Sequence, residues 1–170
     1  MLIEYLEGLI LDFDGVFTNN LLSTNTNNQE TIISSKEDSL AIKALLKIIN
    51  EKKLKFKILV LSGEQNKSIS NRCKKLNLRC LNGVEQKLET AKKEFNNLNK
   101  VLYVGNDIND FSTMAACGLR WCPKDSDPLI LQLSSRVLKR KGGNGCVREV
   151  INKLSEGMYK YWITGIESAK

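Results

Sequence analysis

The chain has 170 residues, 42% of them hydrophobic and 26% charged, which is the composition of a soluble globular protein. The net charge of +7 comes from lysines spread along the chain, so it indicates solvated surface rather than a nucleic-acid-binding face. The absence of histidine excludes a histidine general base, and the five cysteines contain no Cys-x-x-Cys pair that would suggest zinc.

The N-terminal stretch does not resemble a signal peptide, because Glu4 and Glu7 interrupt it before it reaches Asp12. Every apolar stretch is far shorter than a membrane span. We therefore expect a cytoplasmic protein with reduced cysteines, built as one domain over residues 1–170.

The first part of the chain predicts a buried strand followed by a polar excursion. Residues 2–12 are apolar enough for a strand buried on both faces of a parallel sheet. Over residues 16–37, two β-prone runs at 16–18 and 31–33 flank an Asn-rich turn and favour a hairpin. A flexible loop explains the Asn-rich stretch nearly as well.

The remaining chain alternates helices with short strands. The predicted helices cover residues 38–51, 65–76, 85–98, about 109–117, 128–134 and about 146–156, and the predicted strands cover 57–61, 79–81, 100–104, 119–122 and 136–138. Asp38 or Ser39 is expected to cap the first helix. This alternation predicts a Rossmann-like α/β fold of three layers, with a parallel sheet between helices.

Two aspartates, Asp12 and Asp14, stand at the end of the first predicted strand, and Gly15 allows a tight turn after them. Two carboxylates this close repel each other unless a cation, a proton or hydrogen-bond donors stand between them. Mg²⁺ suits such a pair, because it prefers oxygen ligands and retains substrate phosphate oxygens in its shell. An ordinary Asp-Gly turn explains the stretch alone equally well.

Polar residues also follow two later strands: Ser62 follows one, and Asn106, Asp107 and Asp110 follow another. Ligands of open α/β sheets bind outside the carboxyl ends of the strands, where the strand order reverses. Together with Lys87 at the start of a helix, these residues are of the types that phosphate chemistry requires. In such chemistry, cations neutralise the phosphate charge and a carboxylate acts as the nucleophile.

The chain resembles the haloacid dehalogenase superfamily of phosphatases. Residues 12–16 are similar to its first motif, Ser62 to its second, Lys87 to its third and residues 105–110 to its fourth. The resemblance covers about residues 8–154. It implies a Mg²⁺-dependent phosphatase.

A capless branch of this superfamily is the most similar. Residues 83–88 and 139–149 resemble its signatures. The branch includes 3-deoxy-D-manno-octulosonate 8-phosphate phosphatases, nonulosonate 9-phosphate phosphatases and the domains attached to acylneuraminate cytidylyltransferases. The resemblance implies a HAD-like fold without a cap domain and with a β-hairpin protruding after the first strand.

The resemblance also implies a role for each matched residue. Asp12 would be the nucleophile, and Asp14 the general acid and then the general base. Ser62 and Lys87 would hold the transferring phosphoryl group. Asp110 would support these residues from behind.

The metal site departs from the family pattern. By resemblance, Mg²⁺ would be held by Asp12, Asn106, Asp107 and a backbone carbonyl of Phe13 or Asp14. The fourth motif usually begins Gly-Asp-Asp, so Asn106 stands where a carboxylate is expected. Asparagine here resembles the cytidylyltransferase-associated relatives, and the alternative function is a non-catalytic partner of a separate cytidylyltransferase.

The substrate is suggested by Gly63 and Glu64, which follow the second motif. Octulosonate phosphatases usually have Gly-Arg there, whereas Gly-Glu resembles the nonulosonate enzymes. Arg72 and Lys75 on the next helix are expected to bind a substrate carboxylate. An exposed helix face explains Arg72 and Lys75 equally well.

Capless relatives assemble as tetramers through the hairpin, so the resemblance implies a homotetramer held by residues 20–36. Arg140 and Lys141, with the C-terminal segment, would then cover the active site of a neighbouring subunit. The aromatic tail over about 157–170 departs from the usual length.

Overall fold

The computed structural model describes residues 2–27 and 30–155. The strands are β1 Gly8–Leu11, β2 Ser23–Thr24, β3 Glu30–Thr31, β4 Lys57–Leu61, β5 Arg79–Leu81, β6 Val101–Val104, β7 Leu119–Cys122 and β8 Arg136–Val137. The helices are α1 Lys36–Glu51, α2 Lys67–Lys75, α3 Lys87–Glu94, α4 Phe111–Ala116, α5 Pro128–Leu133 and α6 Cys146–Leu154. The predicted aromatic tail lies outside the described residues.

Six parallel strands form the central sheet in the order β5-β4-β1-β6-β7-β8. Leu11 of β1 pairs with Val60 of β4 and with Val104 of β6, so the carboxyl ends of these strands lie close together. The chain runs outward from β1 to β4 and β5 and then crosses to β6 on the other side of β1. The strand order therefore reverses beside β1, which is where such sheets hold their ligands.

Helices pack on both faces of this sheet and divide the core in two. Leu9 and Leu11 point into the cluster formed with α1, α2 and α6, whereas Ile10 points into the cluster formed with α3, α4 and α5. Each of these side chains is fully buried, which stabilises the fold by about 2 kcal/mol apiece. The predicted three-layer α/β fold is confirmed.

The first strand is shorter than predicted. Leu2–Tyr5 forms a 3-10 turn, and β1 begins only at Gly8. Glu7 anchors the chain as it enters the sheet, because its carboxylate accepts the amides of Asn96 and Asn97 at 2.8 and 3.0 Å. A short apolar run does not distinguish a helical turn from a strand by periodicity alone, which explains the error.

The hairpin after β1 is present, but only its second strand, which includes Thr31, overlaps a predicted run. β2 and β3 pair antiparallel, whereas residues 16–18 form a turn instead of a strand. The amides of Val16, Phe17 and Thr18 all donate to the carbonyl oxygen of Phe13, at 3.3, 2.8 and 3.3 Å. The Val16 and Phe17 side chains enter the core, so their apolar character reflects burial beneath the turn.

Helix α1 begins earlier than predicted, and neither Asp38 nor Ser39 caps it. The Ser35 hydroxyl accepts the Glu37 amide at 3.1 Å instead. Asp38 is buried, and its Oδ1 accepts the Arg148 amide of α6 at 2.7 Å. Burial raises the pKa of Asp38 to about 6, although the hydrogen bond from Arg148 opposes the shift.

We expect the variant Asp38→Asn to gain stability relative to the wild type as the pH rises. The folded-state pKa of about 6 exceeds the ordinary 3.8, so the folded protein binds the proton more tightly than the unfolded chain. The wild type therefore loses unfolding free energy as the pH rises from about 4 to about 6, by about 3 kcal/mol in total. The amide variant has no such loss.

Urea unfolding of both proteins between about pH 4 and pH 8 measures this difference. Glu51→Gln, which changes an exposed carboxylate on the same helix, is the matched control. A stability difference between Asp38→Asn and wild type that stays constant across this range would contradict the account.

Most of the predicted helices are shorter in the structure, as α2 is at both ends and α5 at its C-terminal end. Helix α3 ends at Glu94 and is followed by a separate 3-10 turn at Leu98–Lys100. The helix predicted at about 109–117 begins as the 3-10 turn Ile108–Asp110 and continues as α4. Among residues 2–27 and 30–155, no helix combines the length and apolar content needed to cross a membrane.

Candidate active site

A crevice of about 380 Å³ opens at the carboxyl ends of β1, β4 and β6. It is lined by Asp12, Asp14, Asn20, Ser62, Gly63, Glu64, Asn106, Asp107 and Asn109. The structure thus brings together the predicted carboxylates, the hydroxyl and the two residues after it. Asn20 and Asn109 also line the crevice and were not predicted.

Lys87 connects the predicted carboxylates beneath the crevice. Its ammonium nitrogen lies 2.9 Å from Oδ1 of Asp12 and 2.8 Å from Oδ1 of Asp110, and all three side chains are buried. Burial lowers the pKa of Lys87, but the charges of Asp12 and Asp110 outweigh this effect, so the net shift is upward. Lys87 therefore stays a cation.

Asp110 is held by four hydrogen bonds. Oδ1 accepts from Lys87 and, at 2.7 Å, from the Tyr103 hydroxyl. Oδ2 accepts the amides of Asn106 and Asp107 at 2.9 and 3.3 Å. One buried carboxylate thereby links the lysine to the loop that carries the predicted metal ligands.

Opposing effects act on the pKa of Asp12. Burial and the neighbouring Asp110 charge raise the pKa of Asp12 to about 8, while the Lys87 charge lowers it. Only 4% of Asp12 is exposed, so its ionised form depends on cations held beside it. Lys87 supplies one such charge, and a divalent cation in the crevice would supply more.

Asp14 is only half-buried and turns toward the mouth of the crevice. Burial raises its pKa, and a hydrogen bond from the Thr18 hydroxyl at 3.4 Å opposes the shift. The same hydroxyl accepts the amides of Gly15 and Asn20 at 3.2 and 3.3 Å. Thr18, which sequence reasoning missed, therefore orders the turn that carries Asp14.

Ser62 is buried at the end of β4, and its hydroxyl accepts the Glu64 amide at 3.1 Å. Its own amide donates to the carbonyl of Leu81 on β5, which fixes the start of this loop. Gly63 and Glu64 are exposed at the crevice. The hydroxyl is thus held within a turn beside the carboxylates.

Asn106 faces the turn after Asp14. Its Oδ1 is buried and has no hydrogen-bond partner among residues 2–27 and 30–155. Gly15 packs directly on this amide with φ of 76°, and a Cβ at Gly15 would collide with it. A buried oxygen without a donor is costly, so its position in the crevice marks it as a candidate metal ligand.

The described residues contain no group of three or more His, Cys, Asp or Glu side chains placed to hold a metal. A cation in the crevice would therefore need amide and carbonyl oxygens besides carboxylates. The Phe13 carbonyl already accepts three amides of the following turn. Of the two backbone carbonyls considered, that of Asp14 is therefore the better candidate.

The structure does not bring Arg72 and Lys75 to this crevice. They line a separate hollow of about 300 Å³ with Ile32 and Ser34, among others. The Arg72 guanidinium donates to the Ser39 hydroxyl of α1, so helix packing holds it away from the carboxylates. Their predicted contact with substrate is not made within one chain.

Arg140 also contacts its own chain. Its guanidinium lies 2.8 Å from the Glu37 carboxylate of α1, and its amide donates to Glu149 of α6. Lys141 is exposed. Within one chain these two residues lie outside the lining of the crevice.

The glycine-rich segment before α6 packs against the turn that follows the two aspartates. The Gly143 amide and the Cys146 thiol both donate to the Val16 carbonyl at 3.0 Å. Gly142 lies so close to the Gly15 carbonyl that a Cβ would clash with it. The segment over residues 139–149 therefore packs against and supports the loop that carries Asp12 and Asp14.

Comparison with known proteins agrees with this geometry. No family model matches the chain. The chain is 30% identical over 156 residues to the 3-deoxy-D-manno-octulosonate 8-phosphate phosphatase KdsC of Escherichia coli, covering 89% of this chain and 80% of that protein. It is 29% identical over 147 residues to the protein of the same name from Yersinia pestis, covering 84% and 75%.

Solved structures share the fold. The 3-deoxy-D-manno-octulosonate 8-phosphate phosphatase of Yersinia pestis matches with a TM-score of 0.82 and 25% identity, over 90% of this chain and 82% of that one. The phosphatase of Moraxella catarrhalis, in complex with magnesium, phosphate and KDO, matches with a TM-score of 0.85 and 20% identity, over 96% and 95%. The chain therefore belongs to the family of 3-deoxy-D-manno-octulosonate 8-phosphate phosphatases, a capless branch of the haloacid dehalogenase superfamily of phosphoric monoester hydrolases.

Proposed function

We propose that this protein hydrolyses the terminal phosphate of a 2-keto-3-deoxy sugar acid through an aspartyl-phosphate intermediate, with Mg²⁺ as cofactor. The observation that carries the proposal is the buried contact of Lys87 with Asp12, at 2.9 Å, on the floor of a crevice lined by Asp14 and Ser62. A proposed nucleophile, acid and phosphate-binding hydroxyl that line one cavity, with Lys87 in contact with the nucleophile, support this reaction.

In the first step, a carboxylate oxygen of Asp12 attacks phosphorus and the bond from phosphorus to the sugar oxygen breaks. Asp14 gives its proton to the leaving alkoxide. The upward shift of the Asp14 pKa favours the protonated form that this step needs. Lys87 and the Ser62 hydroxyl stabilise the charge on the transferring phosphoryl group.

In the second step, Asp14 takes a proton from a water molecule, whose oxygen attacks the phosphoryl group. The bond from phosphorus to Asp12 then breaks and inorganic phosphate leaves. The half-buried position of Asp14 at the mouth of the crevice lets it reach both the leaving oxygen and the water. Thr18 holds the turn that orients it.

The residues present fit Mg²⁺. Asp12, Asp107 and the Asp14 carbonyl offer oxygen atoms around the crevice, and the buried Oδ1 of Asn106 has no hydrogen-bond partner within the described part of the chain. When bound, the ion neutralises phosphate charge and orients the phosphoryl group for in-line attack. Asn106 brings no charge, so we expect weaker metal binding than a carboxylate would give.

We expect Asn106→Asp to tighten Mg²⁺ binding by about tenfold, because a ligand charge is added where a neutral oxygen now points. Calorimetric titration with Mg²⁺ measures this without turnover, and the Mg²⁺ concentration for half-maximal phosphate release measures it during turnover. Asn109→Asp adds the same charge at the mouth of the same crevice and is the matched control. Unchanged affinity in Asn106→Asp, or an equal gain in both variants, would exclude Asn106 as a ligand.

Two substrates are candidates. The eight-carbon 3-deoxy-D-manno-octulosonate 8-phosphate is named for the relatives, whereas Glu64 at the crevice resembles the nine-carbon enzymes. We test the substrate class by comparing kcat/KM for both sugar-acid phosphates with that for an aryl phosphate. We expect the preferred sugar acid to exceed the aryl phosphate by at least about tenfold. Equal values for all three would contradict a sugar-acid phosphatase.

The alternative is a non-catalytic partner of an acylneuraminate cytidylyltransferase, and the amide of Asn106 is the observation that favours it. The intact network of Asp12, Lys87 and Asp110 favours catalysis instead, because a buried lysine between two carboxylates is costly to keep without use. Folded protein that binds a cytidylyltransferase and releases no phosphate would support the alternative.

We further propose a homotetramer assembled through the hairpin arms. Leu21 and Ile33 on this hairpin are 73% and 75% exposed, which is unusual for large apolar side chains so close together in the chain. Assembly would bury them. It would also offer Arg72, Lys75 and Arg140 to the crevices of neighbouring subunits.

Light scattering is expected to give four times the chain mass of 19.2 kDa. The double substitution Leu21→Asp with Ile33→Asp is expected to lower the mass, since charge at a buried interface is unfavourable. Tyr5→Asp, which alters a residue 76% exposed on the 3-10 turn before β1, is the matched control. A monomeric wild type would contradict this assembly.

A further inference from the structure

Tyr103 is a fully buried side chain whose hydroxyl lies under the active site. It belongs to β6 and is surrounded by apolar residues of the cluster that includes Ile10, Phe95 and Met114. Its hydroxyl donates to Oδ1 of Asp110 at 2.7 Å. The two reaction steps described above use neither this hydroxyl nor its proton.

The oxygen that Tyr103 contacts is the one that also binds Lys87. Lys87 lies 2.8 Å from Oδ1 of Asp110 and 2.9 Å from Oδ1 of Asp12, so its ammonium group is shared between two carboxylates. The tyrosine and the lysine therefore compete for the negative charge of one buried oxygen. A hydrogen bond to a carboxylate in a low-dielectric interior is strong enough to change that balance.

This competition controls how tightly Asp110 holds Lys87. With the phenol in place, part of the charge on Oδ1 is taken up by the hydroxyl, and the ammonium group remains available to Asp12 and to an incoming phosphoryl group. Without it, Lys87 would be the sole donor to that oxygen. We then expect the ammonium group to move toward Asp110 and away from the phosphoryl group.

Oδ2 of Asp110 makes a second connection. It accepts the amides of Asn106 and Asp107, which carry proposed metal ligands. These two bonds hold the carboxylate in place through Oδ2, whereas Tyr103 bonds Oδ1, the oxygen shared with Lys87. The Tyr103 phenol is buried beside two carboxylates, which raises its pKa and keeps its proton on oxygen as a donor.

We propose that Tyr103 is a positioning residue that acts through Asp110 to keep Lys87 available for the phosphoryl group. This inference rests on the proposed phosphatase function and adds a residue to it. Tyr103 does not line the crevice, and its hydroxyl bonds the Asp110 oxygen that Lys87 shares rather than the one that holds the loop. Its effect on phosphate binding is therefore expected to pass through Lys87 and to disappear when Lys87 is replaced.

The test measures binding of inorganic phosphate in the presence of Mg²⁺ by calorimetry, which does not depend on turnover. Four proteins are compared: wild type, Tyr103→Phe, Lys87→Met and the double variant. We expect Tyr103→Phe to weaken phosphate binding about tenfold in the wild-type background. We expect no further loss when it is added to Lys87→Met, because the lysine that it positions is then gone.

Phe95→Leu is the matched control for packing, since it perturbs the same apolar cluster without touching Asp110 or Lys87. It is expected to lower the melting temperature and leave phosphate affinity unchanged. Phosphate binding that is equal in Tyr103→Phe and wild type, or an equal loss in both backgrounds, would overturn the inference and leave the phosphatase intact. A wild type that binds no phosphate would refute the proposed function and this inference together.

If Tyr103→Phe fails to fold, the four proteins are compared again in trimethylamine N-oxide, an osmolyte that favours the folded state. A loss of phosphate affinity in Tyr103→Phe that is absent from the Lys87→Met background would support the inference there. Equal phosphate affinity of Tyr103→Phe and wild type would overturn it.

Discussion

Asp12→Asn is expected to abolish phosphate release, with a loss of at least about a thousandfold in kcat. An amide oxygen is a poor nucleophile and forms no stable phosphoryl ester, whereas the wild-type carboxylate lies at the floor of the crevice beside Lys87. Initial rates with a sugar-acid phosphate and Mg²⁺ measure the loss. Circular dichroism and the melting temperature establish that the variant is folded.

Glu89→Gln is the matched control, because it also changes one carboxylate to an amide, but on the exposed face of α3. Its kcat is expected to stay within about twofold of wild type. Should folded Asp12→Asn retain more than a tenth of the wild-type rate, Asp12 would not be the nucleophile.

Lys87→Met is expected to lower both stability and activity. It removes the cation between Asp12 and Asp110, which then lie buried near each other without a compensating charge. Breaking such a buried arrangement costs about 3 kcal/mol or more of unfolding free energy. Loss of one group that stabilises the transferring phosphoryl lowers kcat by about 100-fold or more.

Lys92→Met on the same helix is the control. Lys92 is exposed and pairs with Glu89 at 2.7 Å, so its replacement is expected to change the unfolding free energy by less than about 1 kcal/mol. Urea unfolding at neutral pH and initial rates compare the two variants. Equal effects of Lys87→Met and Lys92→Met on stability would contradict the buried network.

The crevice could be predicted from the sequence because its residues follow strand ends. Asp12, Ser62 and Asn106 each come directly after or just beyond an apolar run, and parallel strands bring such positions to one edge of the sheet. The role of Lys87 could be predicted only from the resemblance to the family, because nothing else in the sequence distinguishes it from an ordinary helix lysine. Its burial against two carboxylates is a tertiary property that local sequence does not show.

Tyr103 and Thr18 were missed for different reasons. The sequence predicts Tyr103 only as a strand residue. A buried tyrosine needs a hydrogen-bond partner for its hydroxyl, and Asp110, seven residues later, provides that partner. Thr18 was assigned to a hairpin strand, because β-branched and aromatic residues have strand propensity. In the structure the Phe13 carbonyl accepts three amides, and these hydrogen bonds form a turn in spite of that propensity.

Arg72 and Lys75 show that assigning a residue to a helix does not predict whether its side chain reaches a nearby site. The sequence correctly places both residues on α2. It does not predict the direction in which their side chains point relative to the crevice. Ser39 of α1 accepts a hydrogen bond from Arg72, and this contact joins segments far apart in sequence.

Phosphate release from purified protein with 3-deoxy-D-manno-octulosonate 8-phosphate or a nonulosonate 9-phosphate distinguishes a sugar-acid phosphatase from a non-catalytic protein. The measurement is made with Mg²⁺ and again after chelation of the metal, for wild type and Asp12→Asn. The account predicts turnover of a sugar-acid phosphate by the wild type with Mg²⁺, and none after chelation or in the variant. Folded wild-type protein that releases phosphate from neither substrate would contradict it.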